Sequence, residues 1–377
     1  MGKAAFRLTI VFMLFVLSPF VSVPVYSQHG WPIDPMNEGH PIGNSFGEFQ
    51  DFGTCLDKNG YLMPHCIYHH SGIDILGSPM HEADGGENMS APWVRVTVGG
   101  VVEEFVNIPG CDCNFSSIRD ASGVIYRYGH LEYDSYDPAY VINKNQGIVV
   151  YEGSPIAKLV RWNECDYHHL HYEMEKDSNF LNPLKGITPH QDLDPPEIAA
   201  IFFAQNNSNP WVPFQDMGSS GCTVVNGEVD IIAQIRDRDR AGSTHPGTET
   251  VWVYNVRWRA CPESNPNCPW NDTYPMDNIP ESWKEGNNEY TSAYFSVNDP
   301  WVSDSDYCQK TWLYAVVTNF KGGVPDQAGC WDTKNFPDGR YLVSVEARDF
   351  TNNPSVLTVT VCVDNSRLNA PKGLRIQ

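Results

Sequence analysis

The sequence predicts an all-β protein built as two successive units, and three observations carry that expectation. Apolar and polar residues alternate in Val94-Arg95-Val96-Thr97-Val98, in Gly123-Val124-Ile125-Tyr126-Arg127-Tyr128 and in Val229-Asp230-Ile231-Ile232-Ala233-Gln234-Ile235. A period of two is that of half-buried strands. Glycine turns such as Gly99-Gly100 fall between these segments, and the prolines of Asp192-Leu193-Asp194-Pro195-Pro196 impose an extended connector that divides the chain.

Taken from the N-terminus, Lys3 and Arg7 precede an apolar run from Leu8 to Val25, and Val25-Tyr26-Ser27 offers a cleavage point before Gln28. This is a secretory signal pattern, so residues 1–27 are expected to be removed and the product secreted or periplasmic. The run is close to spanning length and anchoring is the alternative, although Pro19 and Pro24 interrupt it. No transmembrane segment is expected after signal cleavage.

Three short stretches concentrate the chemistry: His70-Ser71-Gly72-Ile73-Asp74, Tyr128-Gly129-His130-Leu131 and His169-Leu170-His171. Two imidazoles and one carboxylate, with a fourth position left to water, are what a catalytic zinc requires. In an extended segment His169 and His171 share a face, about 7 Å apart along the strand. One can then bind metal while the other stands beside the water. His70 and Asp74 lie about 13 Å apart if fully extended, too far for two ligands of one ion unless the chain curls. Gly72 permits that curl, and the β-branched Ile73 and Ile75 favour a loop entering a strand over a helix. Taken singly, each pattern is weak, because a lone His-x-His on a strand is more often solvated or capped than metal-bound.

Together, in this order and flanked by Gly72, Tyr128, Leu131 and Glu173, the motifs resemble those of the lysostaphin-type, LytM-like zinc metallopeptidases, a family that cuts peptide cross-links of bacterial cell walls. The family motifs His-x-x-x-Asp, Tyr-x-His-Leu and His-Leu-His-Phe-Glu stand here as His70 to Asp74, Tyr128 to Leu131 and His169 to Glu173, with Tyr172 in place of Phe. The resemblance covers roughly residues 40 to 185. It implies that His70, Asp74 and His171 bind Zn2+ and that His130 and His169 are catalytic. It also implies a small antiparallel, barrel-like sheet crossed by a groove.

Local sequence agrees with that fold: Val94 to Val98 and Val101-Val102-Glu103 read as two strands joined at Gly99-Gly100, and Gly147 to Gly153 resembles the family's hairpin before the last motif. Asn44-Ser45-Phe46-Gly47 resembles the segment that precedes the first ligand. Two departures stand out. His81 to Asn88 forms a loop where the family has a tight turn, and Lys158 to Tyr167 is bulkier than the usual glycine-rich approach. His168 is expected to face away from the site by parity. His29, His65, His69 and His81 are expected to take no part in catalysis, although His69 exchanges places with His70 if the loop is shifted.

Downstream, Val251 to Trp258, Tyr341 to Ala347 and Val356 to Val363 alternate as strands do, and residues 195–365 read as an immunoglobulin-like β-sandwich before a tail at 366–377. Residues 28–194 form the metallopeptidase domain on this reading. The sandwich serves as a spacer or substrate-presenting module, or as a wall-binding one through its tryptophans. Eleven cysteines in an exported chain read first as disulfides. Cys55 with Cys66 is the expected pair; Cys222 with Cys362, Cys261 with Cys268 and Cys308 with Cys330 is one of the fifteen pairings that the six downstream cysteines permit, and the sequence does not choose among them. Cys111, Cys113 and Cys165 leave an odd thiol, and a cysteine-rich metal site is the competing reading.

A formal net charge of −21 excludes nucleic acid as a partner, since phosphate contact needs a basic field. The function expected is that of a secreted zinc metalloendopeptidase hydrolysing peptide bonds in peptidoglycan stems or cross-bridges by a metal-activated water. The alternatives are an endopeptidase on extracellular protein and a catalytically silent wall-binding adaptor. A fragment ending near Asp194 is expected to keep its zinc and to cleave a short soluble peptide, and to be weaker on intact walls if the sandwich presents substrate.

Overall fold

A computed structural model describes residues 28–51, 55–56, 62–63, 67–76, 92–111, 113–160, 169–190, 192–208, 213–214, 221–238, 250–284, 294–295 and 312–366. The signal segment, the loop at 81–88, most of the approach at 158–167, His65, His168, Cys66, Cys165 and Cys308 lie outside them.

The fold is all-β and overwhelmingly antiparallel, as expected. In the upstream half the strands β1 (Ile42–Asn44), β2 (Gly72–Leu76), β3 (Trp93–Arg95), β4 (Val101–Val106), β5 (Phe115–Arg119) and β6 (Ile125–Gly129) come before helix α1 (Pro138–Gln146). Strands β7 (Pro155–Lys158), β8 (His169–Lys176) and β9 (Asn179–Leu181) follow it. The main sheet runs β1-β2-β8-β6-β5-β4, so β2 and β8 lie side by side near its middle. Alternation along β8 turns Leu170, Tyr172 and Met174 into the core with Ile73, Ile75 and Tyr128, which places His169, His171 and Glu173 on the opposite face.

Two sequence expectations are corrected here. Val94 to Val98 and Val101 to Glu103 do contain strands, but they are not partners of one another. Strand β3 pairs with β7 and β4 pairs with β5, and Gly99-Gly100 carries the chain between the two sheets. A Cβ on Gly100 would stand 2.3 Å from the Arg119 carbonyl oxygen, so the glycine serves close backbone approach instead of a hairpin turn. The expected hairpin at Gly147 to Gly153 begins instead as the end of α1, with Gly147 left-handed at φ 64°. Asp137 caps the other end, accepting from the backbone N–H groups of Ala139 and Tyr140, and Pro138 opens the first turn.

In the downstream half two sheets enclose a shared apolar core. One contains β10 (Glu197–Gln205), β12 (Glu228–Arg238) and β15 (Leu313–Val316); the other contains β11 (Thr223–Val225), β13 (Asn255–Pro262), β16 (Gly339–Arg348) and β17 (Pro354–Val363). β11 runs parallel to β17, and the Cys222–Cys362 disulfide ties its start to that strand. Val251 to Trp258 does not form one strand: pairing stops at Val251 and resumes at Asn255.

The halves meet through strand pairing. Strand β14 (Asn278–Pro280) extends the upstream sheet beside β9, with Phe180 opposite Ile279. Asn182 donates its side-chain amide to the Met276 carbonyl at 2.7 Å, and Lys185 pairs with Asp277. Disulfides join Cys261 to Cys268 and Cys111 to Cys113. Cys330 is a free thiol, so the pair with Cys308 is not formed. Among the described residues no helix is long and apolar enough to cross a membrane.

Candidate metal centre

His70 opens the short link, His70-Ser71, that leads from the strand Ile67–His69 into β2, Asp74 sits in the middle of β2, and His171 lies directly opposite Asp74 on β8. The loop-to-strand geometry expected for the first motif is what forms. Gly72, however, does not use a left-handed backbone to make the curl. What it supplies is room: a Cβ there would stand 2.4 Å from the Tyr172 carbonyl oxygen and 3.2 Å from His171 Cε1.

Three donor atoms converge. His70 Nε2 lies 2.9 Å from His171 Nδ1 and 3.1 Å from Asp74 Oδ1, and His171 Nδ1 lies 3.0 Å from Asp74 Oδ1. Ligands bound at about 2.0 Å around a tetrahedral zinc are separated by about 3.3 Å. The triangle therefore has nearly the edge lengths of one face of that tetrahedron. Two imidazoles and a carboxylate also form the nitrogen-oxygen donor set zinc accepts, and three protein ligands leave a coordination position for a reactant. The residues fit the metal.

The electrostatics favour a cation at the same point. Burial alone would raise the Asp74 carboxyl, but the neighbouring His70, His169 and His171 hold it well below the usual carboxylate range. Burial disfavours charge on His171, yet its contacts with Asp74 and Glu173 push it up to about 9. The triangle thus accommodates a positive charge, which a bound metal would replace with release of a proton.

Each candidate ligand is aimed by a neighbour. His70 Nδ1 lies 3.1 Å from the Ser45 carbonyl oxygen; a carbonyl only accepts, so Nδ1 carries the hydrogen and Nε2 keeps its lone pair. Asn44 donates to Asp74 Oδ2 at 2.5 Å, leaving Oδ1 in the triangle. Glu173 Oε2 lies 3.7 Å from His171 Nε2, and Glu173 is itself held by Ser71 and Arg127. The resemblance marked the segment Asn44 to Gly47, but not what Asn44 and Ser45 do there, because the contact from Asn44 to Asp74 spans 30 residues.

The other two histidines of the motifs lie beside the triangle. The rings of His130 and His169 are 4.6 Å apart, and those of His130 and His171 are 6.1 Å apart. His169 Nε2 lies 3.9 Å from Asp74 Oδ2, and burial brings its pKa down to about 3 despite the pull of Asp74. His130 has a left-handed backbone at φ 60°, an uncommon conformation for a residue with a side chain. It is held from both sides: Leu131 N–H donates to the Asn114 carbonyl, and the His130 carbonyl accepts from Val160 N–H.

Residues set aside in the sequence fall elsewhere. His69 is buried on the preceding short strand Ile67–His69 and stays out of the triangle. His29 packs against Tyr126 and Tyr172 on the core side. Tyr172, the departure from the motif, has its hydroxyl on Thr97 Oγ1 at 2.8 Å, away from the metal face. Asp192, Asp237 and Asp349 form a second grouping of possible ligands, but an all-oxygen donor set lacks the imidazoles that suit zinc.

No family model and no curated protein matches the sequence. Among solved structures the chain is similar to a mutant catalytic domain of the prophage-encoded M23 protein EnpA from Enterococcus faecalis, at 17% identity and a TM-score of 0.23, over 36% of this chain and 88% of that one. It is similar also to the antimicrobial peptidase lysostaphin from Staphylococcus simulans, at 14% identity and a TM-score of 0.25, over 54% of this chain and 85% of that one. A solution structure of lysostaphin matches at 13% identity and a TM-score of 0.23, over 53% of this chain and 95% of that one. A likeness of this strength fixes no chemistry, which rests on the geometry of the site itself.

Proposed function

We propose that this chain is a secreted zinc metalloendopeptidase that hydrolyses peptide bonds in peptidoglycan stems or cross-bridges. The observation that carries the reading is the meeting of His70, Asp74 and His171 in one triangle with His130 and His169 at its side. A wall-binding adaptor has no need of the second pair. The peptidoglycan substrate rests on the resemblance of the three motifs.

His70, Asp74 and His171 would hold the zinc. Bound there, zinc supplies a Lewis acid that polarises a carbonyl and lowers the pKa of water toward about 7. Peptide hydrolysis needs a proton taken from the attacking water and one delivered to the leaving amine. His130 and His169 share these transfers. His169, presenting Nε2 toward the ligands, is placed to hold a proton at that atom. The fixed backbone around His130 keeps its ring against His169, so neither group has to be ordered when substrate arrives. Three disulfides among the described residues suit an oxidising compartment and support export. The downstream sandwich, read as immunoglobulin-like, presents substrate.

The test is digestion of purified sacculi beside a protein substrate, with metal content measured in parallel. Full-length protein is expected to clear sacculi and to contain about one zinc. His70→Ala, Asp74→Ala and His171→Ala should each lose metal. His130→Ala and His169→Ala should keep it while turnover falls ~10²- to 10⁴-fold. Full zinc in all three ligand variants overturns the assignment. Cleavage of protein but not sacculi moves the enzyme to extracellular protein, and binding without cleavage leaves the adaptor.

A further inference from the structure

We propose that Asn44 and Ser45 are positioning residues for two of the metal ligands, and that the downstream half holds them in place through the backbone N–H of Trp252. The inference rests on the zinc reading of the site and deepens it.

A side-chain amide N–H only donates, so its bond to Asp74 Oδ2 fixes the rotation of that carboxylate and keeps Oδ1 among the ligands. The Ser45 carbonyl selects the tautomer and ring orientation of His70. Both constraints come from adjacent residues at the end of β1, where Asn44 stands opposite Asp74 in the strand register. The segment is then bound to the His70 loop by reciprocal backbone bonds: Gly47 N–H to the His70 carbonyl and His70 N–H to the Glu48 carbonyl, each at 2.8 Å.

The hydroxyl of Ser45 faces the other way. Buried Glu48 accepts from Ser45 N–H at 3.1 Å and from its hydroxyl at 3.3 Å. With its hydrogen committed to Glu48, Ser45 Oγ accepts from Trp252 N–H at 2.6 Å. That contact spans 207 residues and originates where the expected Val251 to Trp258 strand breaks, between Val251 and Asn255. The donor that would have continued a sheet ladder instead reaches the serine whose carbonyl aims His70. The sandwich is thereby coupled to the orientation of the metal ligands.

The experiment uses the full chain, with zinc affinity measured by chelator competition and the ligand field read from the visible absorption of the cobalt-substituted protein. Asn44→Ala is expected to weaken zinc by about 10- to 100-fold, the range for loss of an outer-shell partner, and to shift the cobalt bands. Ser45→Ala, which removes only the hydroxyl, should weaken zinc by at least a few-fold and shift the same bands. Lys185→Ala breaks a contact at the same junction that does not reach the ligands, and should leave both readouts as in the wild type. Wild-type affinity and spectrum in both Asn44→Ala and Ser45→Ala overturn the proposal; should Asn44→Ala fail to fold, Ser45→Ala alone decides it. An equal loss in Lys185→Ala overturns the specific coupling and leaves only general loosening of the junction. Failure of the wild-type chain to bind zinc at all would instead remove the underlying reading of the site.

Discussion

Tyr172 and His171 are consecutive residues with opposite fates, because a strand turns neighbours to opposite faces. His171 is committed to the ligand triangle, whereas the Tyr172 hydroxyl enters the core and is satisfied by Thr97, which also binds Tyr128. A buried hydroxyl with a partner costs little; a buried carboxylate is different, since its charged form loses water. Asp230 on β12 shows this. Burial pushes its carboxyl up to about 6, although Asn207 N–H and the Thr318 hydroxyl favour the charged form. A raised folded-state pKa means that the fold holds the proton more tightly than the unfolded chain does. The associated stability is fully present below the ordinary value of 3.8 and is lost as pH rises through about 6. Asn cannot ionise but can still accept from Asn207. Asp230→Asn is therefore expected to be more stable than the wild type by about 1–2 kcal/mol at pH 8, with the difference gone by about pH 3. Denaturant melts across that range measure it, and parallel curves for the two proteins would contradict the role given to Asp230.

At the scale of elements, the metal face depends on how closely β2 approaches β8. Gly72 lies opposite Glu173, two residues from the Asp74–His171 pair on both strands. An added Cβ meets the Tyr172 carbonyl oxygen at 2.4 Å, and backbone cannot swing aside as a side-chain tip can. Gly72→Ala is expected to cost about 1–3 kcal/mol by overpacking and to reduce zinc occupancy by spreading the triangle. Thermal melting and metal analysis test both, and wild-type values in each would show that the strands have slack. The sequence made glycine visible here but suggested the wrong reason, since a curl in the chain is local while a close approach depends on a strand about a hundred positions away. The same limit explains the rest. Strands β6, β12, β16 and β17 were legible because alternation is written along each of them, and β2 because Ile73 and Ile75 are β-branched. The motif residues were legible because each pair is close in sequence. Helix α1 carried readable caps in Asp137, Pro138 and Gly147, but its body, Pro-Ala-Tyr-Val-Ile-Asn-Lys-Asn-Gln, has only one fully buried side chain and no strong apolar stripe. Asn44 and Trp252 were not legible, because what they do is set by partners 30 and 207 residues distant.

At the scale of the molecule, the expectation that a fragment ending near Asp194 behaves as an independent enzyme meets a sheet that continues into the other half. Removing β14 uncovers the edge of β9, leaving backbone groups that now pair with Asn278–Pro280 to find water or another chain. It also removes Ile279, Met276 and Trp252, all buried in one continuous core with Phe180, Leu184 and Phe46. Each large apolar side chain withdrawn from water contributes about 1.5–3 kcal/mol, and exposing the partners of several such residues approaches the whole stability of a small domain, about 5–15 kcal/mol. The bonds from Asn182 to Met276 and from Trp252 to Ser45 are lost with them. A fragment of residues 28–194 is therefore expected to melt at least 10 °C below the full chain, on a scale where about 1 kcal/mol shifts a domain of this size by about 2–4 °C. It should also associate through its open edge and clear neither sacculi nor a short peptide at the full-length rate. Scanning calorimetry, light scattering and peptide turnover on the two proteins in one buffer would decide the matter. A monomeric fragment with the melting temperature and peptide turnover of the whole chain would show that the upstream half folds and works alone, and that the sandwich bears on substrate and not on the construction of the enzyme.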